Sequence, residues 1–344
     1  MRIGDKTIGD GEPVFIIAEV AGSHDGDLKA AKKLVGVAAE CAVDAIKFQV
    51  IRADELVVAR HPKYQSFKKV EFRQDEWLEL LDYTQKYDLI ILVDVFDIPS
   101  LELMTRPEVK GYKVHLTNIA DPSLLSAVAK TAKPVFLATG GAKREEIEAA
   151  IDVLRSNGGN NIILMHGYQG YPTKLEDVNL RKMSGLKDIF HLPVGFLDHV
   201  DAETDMAMIV PVVAIAWDAA AIEKHITLDR SLKGRDYYSS LNPDELKPLV
   251  ENIRQIEKIL GTDSFEFSPG EFKYRSEVMK NIVARMPIAK GTKISEEMLA
   301  FKRSEPGLPP TEAANLIGRI ARVDIRKDEC VIWDKVYKQG ENGQ

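Results

Sequence analysis

From residue 14 onward, short continuous apolar runs alternate with longer segments in which apolar residues recur every three or four positions. The runs VFIIAEV at 14–20, DAIKFQV at 44–50, DLIILVDVF at 88–96 and GYKVHL at 111–116 predict four strands buried on both faces. PVFLAT at 134–139, NIILMH at 161–166, LPVGFL at 192–197 and AAIEKHITL at 220–228 predict four more. Helical spacing fills the gaps, most clearly in KAAKKLVGVAAECA at 29–42, EEIEAAIDVLRS at 145–156 and PDELKPLVENIRQIEKILG at 243–261. Eight strand–crossover units favour an α/β fold of the (β/α)₈ TIM-barrel type over an open doubly wound sheet. The polar, glycine-spaced start MRIGDKTIGDGEP predicts a β-hairpin ahead of the first barrel strand.

The rhythm breaks at GTDSFEFSPGEFKYRSE, residues 261–277, which reads as an ordered linker. Beyond it the strands are short and turns are frequent, as expected for a small β-rich domain. The expected organisation is a barrel over 1–262, a linker over 263–278, a second domain over 279–337 and a polar tail over 338–344. A length of 344 residues suits a barrel of about 250 residues with such an appendage. The net charge of −7 argues against a nucleic-acid partner, which calls for a basic face. No apolar run reaches the length of a membrane span and the N-terminus has no signal-peptide core, so the expected location is the cytoplasm. Cys41 and Cys330, distant in sequence, are expected to be buried free thiols in a reducing compartment.

Composition does not name a chemistry, but a few polar residues inside apolar runs do. GFLDH ends at His199 and AIEKH at His225, in the last two predicted strands. Neighbouring barrel strands deliver their C-terminal residues to one mouth, so the two imidazoles are expected to converge as a seat for a divalent metal. Glu19 ends the first strand, which neighbours the eighth in a closed barrel, and is expected beside His225. Lys47 and Lys113 interrupt apolar strands and must pair, neutralise or meet an anionic ligand. Two of them at one mouth suggest a site for a multiply charged anion, with His115 on the face of Lys113. The loop after the sixth strand offers His166, Tyr168, Gln169 and Tyr171 to a substrate, although Tyr171-Pro172-Thr173 reads equally as a rigid turn. Asp236, beside Arg235, reads as a substrate residue or as a loop cap.

Taken in order, FIIAEVAGSHDGDLKAAKKLV, AIKFQV, YPTKLEDVNL, VGFLDH, IEKHITLD and PDELKPLVENIRQIEKILG resemble the sialic acid (N-acetylneuraminate) synthase family, including its spore coat polysaccharide branch. RMPIAKGTKISEEMLAFKRSEPGLPP and LIGRIARVDIRKDE resemble its C-terminal antifreeze-like (SAF) domain. The resemblance implies a transferase that condenses phosphoenolpyruvate with an amino-sugar aldehyde, forming a 3-deoxy-2-keto sugar acid for surface polysaccharide. It implies Mn²⁺, or Mg²⁺ or Co²⁺, held by His199 and His225, and an acceptor contacted or activated by Glu19, Tyr171 and Asp236. Lys47 and Lys113 fall where the family holds phosphoenolpyruvate, and Gln169 falls at an asparagine position. Arg303 matches an SAF arginine that enters the partner subunit's barrel mouth, implying a domain-swapped homodimer.

The chain departs from the family pattern on the donor side. Asp94, Leu116, Ala138 and Leu197 stand where hydroxyl side chains are usual. Two other readings follow from those departures: an aldolase using Lys47 or Lys113 as a Schiff base with another donor, and a non-catalytic sugar-binding protein.

Overall fold

The computed structural model describes residues 1–170 and 172–337. The chain divides into two compact units, Met1–Gly261 and Thr262–Gln344.

In the first unit, eight parallel strands close into a barrel. They are β1 (Phe15–Glu19), β2 (Ala45–Val50), β3 (Ile90–Val95), β4 (Val109–Val114), β5 (Val135–Ala138), β6 (Ile162–His166), β7 (Val194–Asp198) and β8 (Ala221–His225). β8 pairs with β1 to complete the ring. Helices Leu28–Glu40 (α1), Gln74–Thr84 (α2), Ile98–Met104 (α3), Pro122–Lys130 (α4), Arg144–Ser156 (α5), Arg181–Phe190 (α6), Met206–Ala216 (α7) and Pro243–Leu260 (α8) follow the strands in turn.

Strand alternation sorts the side chains into two cores. Ile16, Ile46, Val93, Leu137, Leu164 and Ile222 face outward and pack under the helices. Phe15, Ile17, Ala45, Leu92, Phe136, Ile163 and Met165 fill the barrel interior. The N-terminal hairpin pairs Arg2–Ile3 with Lys6–Thr7, and its Ile3 and Ile8 join that interior cluster. Small and large apolar residues thus close the lower barrel, leaving polar inward positions only near the C-terminal strand ends.

Two elements differ from the sequence expectation. β4 starts two residues before the apolar run and ends two residues before its close, and its register against β3 shifts between Ile91 and Leu92. His115 and Leu116 consequently leave the strand into a 3₁₀ turn, where His115 Nδ1 accepts the Thr117 N–H at 3.2 Å. The expected linker contains a helix, α9 (Pro269–Val278). The Ser268 hydroxyl accepts the Glu271 N–H, Pro269 opens the helix and the Glu271 carboxylate accepts the Ser268 N–H, a reciprocal cap at the start of a helix that buries none of its own residues.

In the second unit, β9 (Lys280–Ala284) pairs antiparallel with β10 (Leu299–Arg303) over a small core that includes Ile282, Ile288, Leu299, Leu316 and Val331. Arg303 closes the ladder opposite Lys280 and is exposed. Both cysteines are free; Cys41 is buried, but Cys330 is only half-buried beside the Ser304 hydroxyl. Among the described residues no helix is long and apolar enough to cross a membrane.

Candidate active site

At the C-terminal end of the barrel, the inward alternation brings five charged side chains into one layer: Glu19 of β1, Lys47 of β2, Asp94 of β3, Lys113 of β4 and Glu223 of β8. All five are buried. Glu223 joins the two lysines, with Oε2 at 2.7 Å from Lys47 Nζ and Oε1 at 2.7 Å from Lys113 Nζ. Glu19 forms a second ion pair with Lys47 and also accepts the Ala21 N–H at 2.7 Å. Asp94 is different: neither carboxylate oxygen has a hydrogen-bond partner.

These environments push the three carboxyls apart. Burial raises that of Glu223, but Lys113 and Lys47 outweigh it and hold the group well below the usual carboxylate range. Burial pushes Glu19 up to about 7, against the opposing pull of Lys47 and with a further push from Glu223. Burial likewise raises Asp94 to about 6, despite Lys113 and Lys47. For Lys47 the desolvation cost is more than offset by Glu19, Glu223 and Asp94, so its ammonium form is favoured. One carboxylate is thus the fixed counter-ion of both lysines, and two are poised near neutrality.

Above this layer, His199 and His225 emerge from β7 and β8. Their Nε2 atoms approach to 3.2 Å and both rings are buried. Burial, with Lys113 nearby, lowers His199 to about 3; burial and the facing His199 push His225 well below its ordinary value. Neutral imidazoles with convergent Nε2 atoms have the donor chemistry of metal ligands. With the two Nε2 atoms this close, both imidazoles would be able to hold one divalent ion. Among the described residues no third His, Cys, Asp or Glu completes a three-ligand cluster. Glu19 is the register partner of His225, as the barrel topology requires.

The histidines open onto a cavity of about 490 Å³. Lys113, His115, Gln49 and Gln169 supply its polar lining, while Leu116, Ala138 and Leu197 form an apolar wall. The same side is tight at the backbone. A Cβ on Gly140 would lie 1.9 Å from the Gly167 carbonyl oxygen, and one on Gly167 would lie 2.2 Å from that of Leu197. The loops after β5 and β6 and the end of β7 are therefore stacked main chain on main chain. A second cavity of about 340 Å³ shares Gln49, His115 and Gln169 with the first and adds His61, Lys63, Arg235 and Asp236. Gln169 Nε2 donates to Asp236 Oδ1 at 3.0 Å. Burial raises the Asp236 carboxyl, opposed by Arg235, Gln169 and the Gly22 N–H.

The structure thus brings His199, His225, Lys113, Gln169 and Asp236 to two adjoining cavities. Three other candidates lie off the lining of both cavities. Lys47 is fully buried, bound to Glu19 and Glu223, and does not line the first cavity; alternation put it inward, but its neighbours consume its charge. Glu19 is committed to the same ion pair below the histidines. His166 faces the helix layer, where its Nε2 lies 3.0 Å from the Val178 carbonyl oxygen and 3.1 Å from that of Asn179. Tyr171 lies outside the described residues, as does the expected tail at 338–344. Glu223, absent from the sequence-based candidates, is the residue that joins the two lysines. Its position two before His225, on the same inward face of AIEKH, was the available signal.

A model of the NeuB family matches residues 34–264, the greater part of the chain. The chain belongs to the NeuB family. A SAF domain model matches residues 281–336 in the second unit. Among NeuB relatives, the N,N'-diacetyllegionaminic acid synthase of Legionella pneumophila is 32% identical over 97% of this chain and 97% of its own length. The spore coat polysaccharide biosynthesis protein SpsE of Bacillus subtilis is 33% identical, covering 97% of this chain and 96% of its own. The solved N-acetylneuraminic acid (sialic acid) synthetase of Leptospira borgpetersenii superposes with a TM-score of 0.74 at 33% identity, covering 80% of this chain and 95% of that one. These relatives place the chain in a family of sugar-acid synthases.

Proposed function

We propose that this NeuB-family chain is a carbon–carbon bond-forming transferase that joins phosphoenolpyruvate to an open-chain amino-sugar aldehyde, giving a 3-deoxy-2-keto sugar acid for surface polysaccharide. The observation that carries this reading is the convergence of the two histidine Nε2 atoms on the cavity that also holds Lys113, next to the Gln169–Asp236 pair.

His199 and His225 hold a divalent ion, Mn²⁺ or alternatively Mg²⁺ or Co²⁺, which when bound polarises the aldehyde carbonyl. Lys113 faces the anionic donor, and its partner Glu223 fixes the direction of the ammonium group. Gln169 and Asp236 orient the acceptor's hydroxyl or amide groups in the second cavity, and Tyr171, two residues after Gln169 in the sequence, serves the same acceptor. Glu19 and Lys47 lie beneath and hold the charge layer in register. In the reaction, the donor's methylene carbon bonds to the aldehyde carbon and the aldehyde oxygen takes a proton. Water adds at the former enol carbon; one of its protons balances the one taken by the aldehyde oxygen, and the other goes to phosphate as the carbon–oxygen bond to it breaks and the keto group forms. Arg303, exposed in the second unit, is the residue a partner subunit supplies to the mouth in a domain-swapped homodimer, and the setting is the cytoplasm.

The test is an assay of the full chain with phosphoenolpyruvate, a panel of N-acylated hexosamines and divalent ions, reading phosphate release and the mass of the product. Equimolar phosphate and condensed sugar acid are expected. No phosphate from any pairing, with folded metal-loaded protein, overturns the reading.

A second reading keeps the metal and acceptor but uses a donor without phosphate, such as pyruvate. The apolar wall of Leu116, Ala138 and Leu197 favours it, since it offers a phosphate no side-chain donor. A condensed product formed from pyruvate with no phosphate release selects this version. A Schiff-base form needs a free lysine amine, whereas Lys47 and Lys113 are both ion-paired to carboxylates. Borohydride trapping without an adduct on either lysine excludes that form.

A further inference from the structure

Two charged side chains beside the histidines have no part in the chemistry above. Asp198 and Lys224 are the residues immediately before His199 and His225, and alternation turns them to the outer face of the barrel, beneath the helices. Lys224 Nζ lies 2.6 Å from Asp198 Oδ2, and both side chains are wholly inaccessible. The other carboxylate oxygen, Oδ1, accepts the Val200 N–H at 2.9 Å. One carboxylate therefore grips the neighbouring strand on one side and the chain beyond His199 on the other, spanning the histidine.

The backbone makes this grip matter. The β7–β8 register runs Ile222↔Phe196, Glu223↔Leu197 and Lys224↔Asp198, and stops there. His199 is the first residue beyond β7 and His225 the last of β8, each one past the last pair of the ladder between them. Their separation is not set by backbone pairing between those two strands. The side-chain bridge is the last strand-to-strand cross-link before the two imidazoles, which converge on the inner face.

Stability alone does not account for an ion pair in this position, because well-packed apolar residues of similar volume commonly serve as well or better. A salt bridge with a second hydrogen bond fixes direction and distance in a way that apolar packing does not. We propose that Asp198 and Lys224 are positioning residues that hold His199 and His225 at metal-binding spacing. This rests on the metal role assigned above to the two histidines.

Isothermal titration of Mn²⁺ into the full chain, alongside thermal unfolding of each metal-free protein, tests it. Wild type is expected to bind one Mn²⁺, and H199A to lose it. The double variant Asp198→Asn with Lys224→Met removes the pair without leaving a buried charge and keeps an acceptor for the Val200 N–H. It is expected to fold and to bind Mn²⁺ about 10- to 100-fold more weakly, the range seen for groups that orient metal ligands. Lys224→Arg, which keeps the ion pair, is expected to retain affinity within a few-fold. Should that double variant fail to fold, Asp198→Asn with Lys224→Gln, which also removes both charges but lets one amide bond the other, is expected to bind several-fold more weakly than wild type. Folded variants that bind Mn²⁺ as wild type does overturn the positioning role while leaving the metal reading intact. Wild type that binds no Mn²⁺, or binds it equally after H199A, overturns the metal reading and this inference with it.

Discussion

Replacing Asp94 by asparagine keeps the shape of the side chain and removes its charge from the buried layer. Asp94 is the one member of that layer with neither oxygen hydrogen-bonded, and burial raises its carboxyl from 3.8 to about 6. The folded protein therefore holds the Asp94 proton to a higher pH than the unfolded chain does. Its contribution to stability is most favourable below about pH 4 and declines as pH rises through 6. A displacement of this size corresponds to about 3 kcal/mol, fully developed above pH 7 and about half developed at pH 5. Asparagine does not ionise, so D94N is expected to gain stability relative to wild type as pH rises from 5 to 8, by about 1.5 kcal/mol. The absolute offset at any one pH includes the cost of burying an amide; the change with pH is the informative quantity. Urea unfolding of both proteins, followed by tryptophan fluorescence at several pH values, measures it. Parallel stability curves, or a wild type that gains on D94N as pH rises, would refute the picture of an uncompensated buried acid.

Three further outcomes follow from the same geometry. Glu223→Gln leaves two buried ammonium groups without their shared counter-ion, and a loss of about 3–5 kcal/mol is expected, visible as a thermal midpoint lowered by roughly 10 °C. Gly140→Ala forces a methyl group against the Gly167 carbonyl, which is main chain and cannot rotate away. A destabilisation of about 3 kcal/mol or more is expected in urea unfolding, with faster amide exchange in the loop after β6. Gln169→Ala removes the partner of Asp236 in the second cavity, and under the proposed function it raises the acceptor KM by about tenfold or more while the Mn²⁺ affinity from titration is unchanged.

The fold was legible because barrel strands buried on both faces leave a recurring apolar signature, and eight of them with helical crossovers admit few other arrangements. The histidine pair was legible for a related reason: topology alone places neighbouring strand ends at one mouth. What sequence could not supply was the partner of each inward charge. Lys47 and Lys113 look alike as isolated lysines in apolar runs, yet one is fully enclosed by Glu19 and Glu223 and the other reaches the cavity. That difference depends on rotamers and on depth along the barrel axis, neither of which leaves a periodic trace. His166 shows the same limit from the other side. A shift of one residue in alternation separates a mouth residue from one that faces the helices, and the loop context of MHGYQG hid the phase. The helix Pro269–Val278 was concealed by its composition, since its signal lies in a cap rather than in an apolar stripe.

The main-chain stack of Gly140, Gly167 and Leu197 bears on how such a mouth can diversify. Where carbonyl meets α-carbon directly, no side chain stands between the loops, and single substitutions can only break the contact. At Gly140 and Gly167 that sector has no room for a side chain. The opposite sector, the long stretch between β2 and α2 with His61, Lys63 and Phe67 on the second cavity, carries side chains that can be exchanged one at a time. New acceptor preferences should arise there first, and a library confined to residues 51–72 is the economical place to look for altered selectivity.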